Sequence, residues 1–192
     1  MSAHQVEPEG EAAQAATPSG ARRLERTIAL VGMMGVGKST VGRKLAESLA
    51  APFVDSDEEI EKAAGLSVQE IFAMHGEPEF RRGERRVIER LLNGPQIVLA
   101  TGGGAYMDAT TRALLKEKAV TVWLRADLDL IWKRVNRRDT RPLLKRDNPR
   151  QVLADLLAQR APVYAEADLT VDSGEGPAND AVKTICEALG YA

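Results

Sequence analysis

The residues best suited to chemistry form a glycine-rich stretch near the start of the chain, Gly32-Met33-Met34-Gly35-Val36-Gly37-Lys38-Ser39-Thr40. Its spacing matches the P-loop pattern G-x-x-x-x-G-K-[ST], whose backbone N–H groups converge on phosphate oxygens. Lys38 brings a positive charge to the outer phosphates, and the Ser39 hydroxyl is a candidate Mg²⁺ ligand. A tight turn with a capping serine is the alternative, but it leaves Lys38 and the third glycine unexplained. We therefore predict a nucleoside triphosphate site lined by Gly35, Val36, Gly37, Lys38, Ser39 and Thr40.

Two carboxylates follow the next apolar segment. Asp55 and Asp57 end the run Pro52-Phe53-Val54-Asp55-Ser56-Asp57, which has the pattern of a short buried strand. Residues two apart on a strand point to the same face, and ligands of α/β sheets bind at the carboxyl ends of strands. We expect Asp55 to face Mg²⁺ and Asp57 to face the group that accepts the phosphoryl group. The alternative is that one of them caps the next helix, which Asp57 could do from its position.

Two later segments carry candidate substrate contacts. A charged helical pattern contains four arginines, and its opposite charges at i, i+3 and i, i+4 are typical of a solvated face, so the pattern does not choose between Arg81, Arg82, Arg85 and Arg86. The triplet 102–104 consists of glycines at the end of a predicted strand. Consecutive glycines fit a place where a ligand lies against bare backbone, and a simple loop hinge is the alternative.

Basic residues crowd together between Lys133 and Arg150. Residues 138–148 contain Pro142 and few periodic apolar positions, so we expect an exposed loop between helices. RNA binding is disfavoured, because no aromatic residues interleave with the basic ones and no other basic face is evident. A lid over a bound triphosphate fits better.

Apolar segments that alternate with amphipathic helical patterns must position these groups. The sequence predicts strands at 28–31, 52–57, 96–100, 119–124 and 168–172. This alternation favours an α/β fold of three layers, α/β/α, with a five-stranded parallel sheet. Residues 1–25, rich in Ala, Glu, Gln, Pro and Gly, are expected to form a disordered tail, and 26–192 a single domain.

Composition limits the function further. Of the 192 residues, 44% are hydrophobic and 28% charged, and the net charge is −2, which gives no general attraction to nucleic acid or membrane. Cys186 is the only cysteine, so no disulfide forms within the chain, as expected of a cytoplasmic protein. No apolar run reaches membrane-spanning length. We expect a cytoplasmic monomer with small-molecule partners.

The sequence lacks the Asn-Lys-x-Asp tetrapeptide that reads guanine in GTPases, which favours a small-molecule kinase. It closely resembles the shikimate kinase family from about Arg26 onward. The motifs that carry this resemblance are 32–40, Asp55-Ser56-Asp57, Glu79-Phe80-Arg81-Arg82, Gly102-Gly103-Gly104, Arg141-Pro142-Leu143 and Arg160-Ala161-Pro162-Val163-Tyr164.

The resemblance implies ATP-dependent phosphorylation of the 3-hydroxyl of shikimate, in aromatic amino-acid biosynthesis, by a P-loop fold with a helical substrate-binding region (about 55–83) and a lid. Asp57 would hold shikimate hydroxyls and accept the transferred proton, and Arg81 and Arg160 would grip the carboxylate. Arg141 would neutralise charge on the phosphoryl group. The remaining assignments are shikimate contacts by Gly102, Gly103 and Gly104, a metal contact by Asp55, and catalytic roles for Lys38, Asp57 and Arg141.

Two other functions remain open from the residues alone. One is a P-loop kinase for another small polyol acid such as gluconate, and the other is a nucleotide-binding module without catalysis. Near the adenine, shikimate kinases often carry a basic or amide residue just after the last strand. The stretch Asp172-Ser173-Gly174-Glu175-Gly176 has no basic residue here, so no side chain is assigned to adenine.

Overall fold

The computed structural model describes residues 24–136 and 148–191. Within them the chain forms one parallel five-stranded sheet in the order β2-β3-β1-β4-β5. This confirms the predicted fold class. The strands are β1 (Thr27–Val31), β2 (Phe53–Asp55), β3 (Val98–Ala100), β4 (Ala119–Arg125) and β5 (Leu169–Asp172).

In the described segments, seven helices connect and cover these strands. All five residues of β1 are buried, as expected for the central strand of a parallel sheet that helices cover on both faces. None of the helices in the described segments is long and apolar enough to cross a membrane. The helices are α1 (Lys38–Ser48), α2 (Ser56–Ala64), α3 (Val68–Leu92), α4 (Ala109–Lys118), α5 (Leu128–Val135), α6 (Pro149–Tyr164) and α7 (Ala178–Ala188), with a 3₁₀ turn at Ala105–Met107.

The second strand is shorter than predicted. It ends at Asp55, and α2 begins at Ser56, so Asp57 lies in the first helical turn and not on an extended strand. The helix cap is Asp55, whose side chain accepts a hydrogen bond from the Asp57 N–H, and not Asp57. Two carboxylates near the amino end of a helix are stabilised by the helix dipole, which favours a helix over continued strand here.

Helix α3 consists of two segments that meet at a break. The spacing of Ser67-Val68-Gln69-Glu70 is that of a capping box, and Ser67 and Glu70 form one at the start of α3. Gly76 interrupts the helical geometry with φ 75° and ψ 172°. The glycine accommodates a positive φ that other residues adopt only under strain. The second segment then carries the charged run that contains Arg81.

Two details of the described chain depart from what its sequence favours. Leu24, assigned to the N-terminal tail, is 5% exposed and belongs to the main hydrophobic core. Pro162 lies in the last turn of α6, and the helix continues for two more residues to Tyr164. A proline so near the end removes only one hydrogen bond, so the helix stops nearby without an early break. The predicted lid lies, apart from Asn148, outside the described residues.

Candidate active site

The P-loop joins β1 to α1 through three glycines with positive φ: Gly32 (137°), Gly35 (80°) and Gly37 (100°). A Cβ atom at Gly32 would stand 2.6 Å from the Leu124 carbonyl oxygen, so the loop needs glycine for space as well as for conformation. Lys38 is the first residue of α1, and its Nζ donates to the carbonyl oxygens of Gly32 (2.8 Å) and Met33 (3.0 Å). The ammonium group therefore folds back over the loop at the amino end of a helix, where anions bind.

Ser39 and Asp55 form a polar pair beside this loop. The Ser39 hydroxyl donates to Asp55 Oδ2 at 2.7 Å, and Asp55 Oδ1 accepts the Asp57 N–H at 3.0 Å. No cluster of three or more acidic, histidine or cysteine side chains able to hold a metal occurs in the part of the chain described. Mg²⁺ commonly takes one or two protein oxygens and completes its shell with phosphates and water. The pair fits that donor set.

Asp57 lies in the cleft between the P-loop and the glycine triplet. Burial raises the pKa of its carboxyl above the ordinary value of 3.8, and the neighbouring Asp55 carboxylate raises it further. Lys38 opposes these effects by stabilising the charged form. A carboxylate with a raised pKa is a better proton acceptor at neutral pH, so Asp57 has the environment of a general base.

The structure chooses among the four arginines of the charged helix. Arg81 alone among them lines the cleft, with a side chain 22% exposed. Arg82 is 62% exposed and pairs with Glu79, while Arg85 pairs with Asp108 at 2.9 Å. Arg86 is exposed. The guanidinium group of Arg81 is therefore the one of the four placed for a ligand in this cleft.

Glu84 is a cleft residue that the sequence analysis did not select. Its side chain is 1% exposed, and its Oε2 accepts a hydrogen bond from Arg81 Nη1 at 2.6 Å. Burial raises the pKa of the Glu84 carboxyl, although Arg81 acts to lower it. In the sequence, the i, i+3 spacing from Arg81 was the one indication that Glu84 pairs with it, but ion pairs on a solvated helix surface have the same spacing. Glu84 therefore orients the Arg81 guanidinium group by accepting a hydrogen bond from its Nη1 edge.

The three glycines of the triplet 102–104 line the cleft. A Cβ atom at Gly103 would stand 3.2 Å from the Met34 backbone nitrogen of the P-loop, and one at Gly104 would collide with the Arg81 guanidinium. From the other side, Arg160 Nη1 on α6 donates to the Gly103 carbonyl oxygen at 3.3 Å. The triplet is thus in close contact with its surroundings, and the alternative of a simple hinge does not account for this packing.

A basic side chain also lies beside the loop after β5, although residues 172–176 of that loop include no basic residue. Arg134 on α5 donates to the Val36 carbonyl oxygen (3.1 Å), the Ser173 hydroxyl (3.3 Å) and the Gly174 carbonyl oxygen (2.7 Å). It lines the same cleft. The sequence analysis missed this residue because it is 39 positions from Ser173 and only the fold brings the two together.

These groups share one cleft of about 1660 Å³. It extends from the loop after β5, past the P-loop, to the region between α2 and α3. Arg141 lies outside the described residues. The predicted site residues that line the cleft are Gly35, Gly37, Lys38, Ser39, Thr40, Asp55, Asp57, Arg81, Gly102, Gly103, Gly104 and Arg160; Val36 does not line it and is 1% exposed.

Known proteins are similar to this chain in both sequence and fold. The family model for shikimate kinase matches residues 34–190. A shikimate kinase from Caulobacter vibrioides is 57% identical over 167 residues, which are 87% of this chain and 84% of the relative. The structure of a shikimate kinase from Acinetobacter baumannii in complex with shikimate has a TM-score of 0.85 and 43% identity, and the match covers 90% of this chain and 97% of that one.

A gluconokinase from Sinorhizobium meliloti is a more distant neighbour. Its TM-score is 0.57 at 20% identity, and the match covers 88% of this chain and 98% of that one, so the likeness shows a shared fold only. The family model and the Caulobacter relative, by contrast, cover most of the chain at high similarity. The chain therefore belongs to the shikimate kinase family.

Proposed function

We propose that this chain transfers the terminal phosphoryl group of ATP to the 3-hydroxyl of shikimate, and that its cleft divides into a nucleotide end and an acceptor end. One observation carries the proposal: the Asp57 carboxyl and the Arg81 and Arg160 guanidinium groups line the same cleft as Lys38. A ring acid held by its carboxylate can then present one hydroxyl to the phosphate site. Such positioning, with charge neutralisation, accounts for most of the catalysis of phosphoryl transfer.

Arg81 and Arg160 bind the carboxylate of the acceptor in this proposal. Planar guanidinium groups match carboxylates with paired hydrogen bonds. Both side chains are already oriented, Arg81 by Glu84 and Arg160 by the Gly103 carbonyl oxygen. Such preorganisation reduces the side-chain entropy lost on binding.

Asp57 receives the proton of the attacking hydroxyl. The acceptor oxygen forms a bond to the γ-phosphorus while the bond from that phosphorus to the bridging oxygen of ADP breaks, and the hydroxyl proton moves to Asp57. Its raised pKa supports this assignment. Lys38 stabilises the charge on the outer phosphates, and we propose the same for Arg141 on the phosphoryl group in transit.

Ser39 and Asp55 would hold Mg²⁺, Ser39 directly and Asp55 through water. When bound, the ion neutralises phosphate charge. We place the nucleoside at the loop after β5, where Arg134 lines the cleft. We also propose a cytoplasmic monomer; the single cysteine is in keeping with a reducing compartment.

Three acceptor conditions test the proposal. ADP release coupled to a spectrophotometric assay is measured with ATP and Mg²⁺ plus shikimate, gluconate or no acceptor. Shikimate alone should support turnover well above the background. Faster turnover with gluconate would favour the other kinase, and ATP binding without acceptor-dependent turnover would favour a nucleotide-binding module.

A further inference from the structure

Tyr164, the last residue of α6, has no place in the roles assigned above. It is fully buried, and its hydroxyl donates a hydrogen bond to the Gly103 carbonyl oxygen. Arg160, one helical turn earlier on the same helix, donates to the same oxygen from its Nη1 at 3.3 Å. Residues i and i+4 share one face of a helix, so α6 presents two donors to a single acceptor in the middle of the glycine triplet.

This shared acceptor matters for Arg160. In the structure the guanidinium group uses one of its donors on a backbone carbonyl. Its other N–H donors remain for a carboxylate, and any turn of the guanidinium group toward a ligand weakens the contact with Gly103. The Gly103 carbonyl is half-buried, and leaving it unpaired costs free energy to the extent that its lost hydration is not replaced. The Tyr164 hydroxyl removes this cost, since it keeps the Gly103 oxygen paired whichever way Arg160 turns.

The surroundings of Tyr164 make it a fixed support. Its ring stacks with Trp123 at a centroid distance of 6.0 Å and with Tyr106 at 6.3 Å. Burial raises the pKa of the Tyr164 phenol to about 12, so the group stays protonated and able to donate at any working pH. Aromatic contacts of this kind add rigidity beyond the buried area. The hydroxyl therefore fixes the position of the Gly103 carbonyl relative to the sheet.

The opposite side of the triplet is fixed as well. The Gly102 N–H donates to the Ser56 hydroxyl at 3.0 Å, and Ser56 is fully buried between Asp55 and Asp57. The triplet is thus attached at Gly102 to the start of α2 and at Gly103 to the end of α6. These two attachments set the distance between the Asp57 and Arg160 sides of the cleft.

We propose that Tyr164 is a positioning residue for the acceptor: its hydroxyl holds the Gly103 carbonyl and frees Arg160 to bind the shikimate carboxylate. The inference rests on the proposed function, because it assumes that Arg160 contacts the acceptor. It assigns Tyr164 an effect on acceptor binding that acts through Arg160 and not on the nucleotide end of the cleft.

The test compares Tyr164→Phe with the wild type by steady-state kinetics and by calorimetric titration with shikimate. Phenylalanine keeps the ring stack and removes only the hydroxyl. The Kd and KM for shikimate should rise about three- to tenfold, the range expected for one hydrogen bond, while the KM for ATP should change less than about twofold. Tyr106→Phe is the matched control, since it removes a buried hydroxyl of the same stack that does not contact Gly103, and it should leave both constants unchanged.

The decisive measurement repeats Tyr164→Phe in an Arg160→Ala background, with the Kd for shikimate measured by calorimetry because turnover is expected to be low. If Tyr164 acts through Arg160, the second substitution should change the Kd less than about twofold, as a double-mutant cycle of coupled residues predicts. An equal change in both backgrounds, an unchanged Kd in the single variant, or an equal loss of ATP and shikimate binding would overturn the inference. A wild-type enzyme inactive toward shikimate would instead refute the proposed function itself.

Discussion

The Asp57 carboxylate lies so close to Gly102 that a Cβ atom added at Gly102 would stand 2.6 Å from Asp57 Oδ1. The same atom would stand 2.8 Å from Glu84 Oε1. Both oxygens are the ends of side chains, so an added methyl group would displace the carboxylates and not the helices that carry them. The two carboxylates can therefore approach the same point of the cleft only because residue 102 has no side chain.

Gly102→Ala should accordingly damage the acceptor end of the cleft. The added methyl group must displace Asp57 or Glu84, and small misplacements at a reaction centre are costly. We expect kcat/KM for shikimate to fall by about 10- to 100-fold, with the KM for ATP nearly unchanged. Gly83→Ala is the matched control, because nothing lies within 4 Å of a Cβ atom there and helix propensity favours alanine. Wild-type kinetics in Gly102→Ala would contradict this prediction and show that the cleft accommodates a methyl group at residue 102.

Arg81→Ala should impair binding of the acceptor more than binding of the nucleotide. Its loss removes charged hydrogen bonds to the carboxylate, each worth about 1.5–3 kcal/mol, or roughly 10- to 150-fold in the KM for shikimate. Arg160→Ala should behave in the same way. Arg82→Ala, one position along the same helix but 62% exposed, should leave both KM values unchanged. Similar losses for ATP and shikimate in Arg81→Ala would contradict a role in holding the carboxylate.

The sequence alone was sufficient to predict features that depend only on residues close together in the chain. The order of strands and helices followed from apolar periodicity, and the P-loop followed from the spacing of its glycines and lysine. The capping box at Ser67 is equally local, since both partners lie within one turn. These features needed no knowledge of how distant segments pack.

Features that depend on distant segments were harder to predict. Arg81 could not be distinguished from Arg82 by pattern, because their burial is set by the glycine triplet and not by their own helix. The end of β2 was misplaced by two residues, since a capping carboxylate and a strand-end carboxylate look alike in sequence. Arg134 reaches the loop after β5 from another helix, which only the three-dimensional fold reveals.

The start of the folded domain gives a prediction about stability. Removal of Met1 to Ala21 should leave Tm and kinetic constants unchanged, because the domain is predicted to begin close to residue 26. Leu24→Ala should instead lower the free energy of unfolding by about 2–5 kcal/mol, the usual cost of truncating a buried leucine. Thermal unfolding of the two variants beside the wild type measures both effects. Destabilisation by the deletion equal to that of Leu24→Ala would place residues before position 22 in the fold.

Asp57→Asn should abolish most turnover yet stabilise the folded protein at neutral pH. Removal of a general base lowers kcat by about 10²- to 10⁴-fold. The folded-state pKa of Asp57 lies above the ordinary value of 3.8, so the folded protein holds this proton more tightly than the unfolded chain does. Its contribution to stability is therefore fully present below pH 3.8 and is lost as the pH rises through the folded-state pKa.

Asparagine carries no charge at any pH and avoids this loss. The free energy of unfolding of Asp57→Asn, measured by urea denaturation across pH, should exceed that of the wild type at pH 7. The difference should shrink as the pH falls through the folded-state pKa and disappear below pH 3.8, where the wild-type carboxyl becomes protonated in both states. Asp155→Asn, at an exposed position of α6, is the matched control and should reproduce the wild-type pH dependence. A constant difference across pH would show that the effect of Asp57→Asn comes from packing or hydrogen bonding, and that burial of the Asp57 charge does not oppose folding.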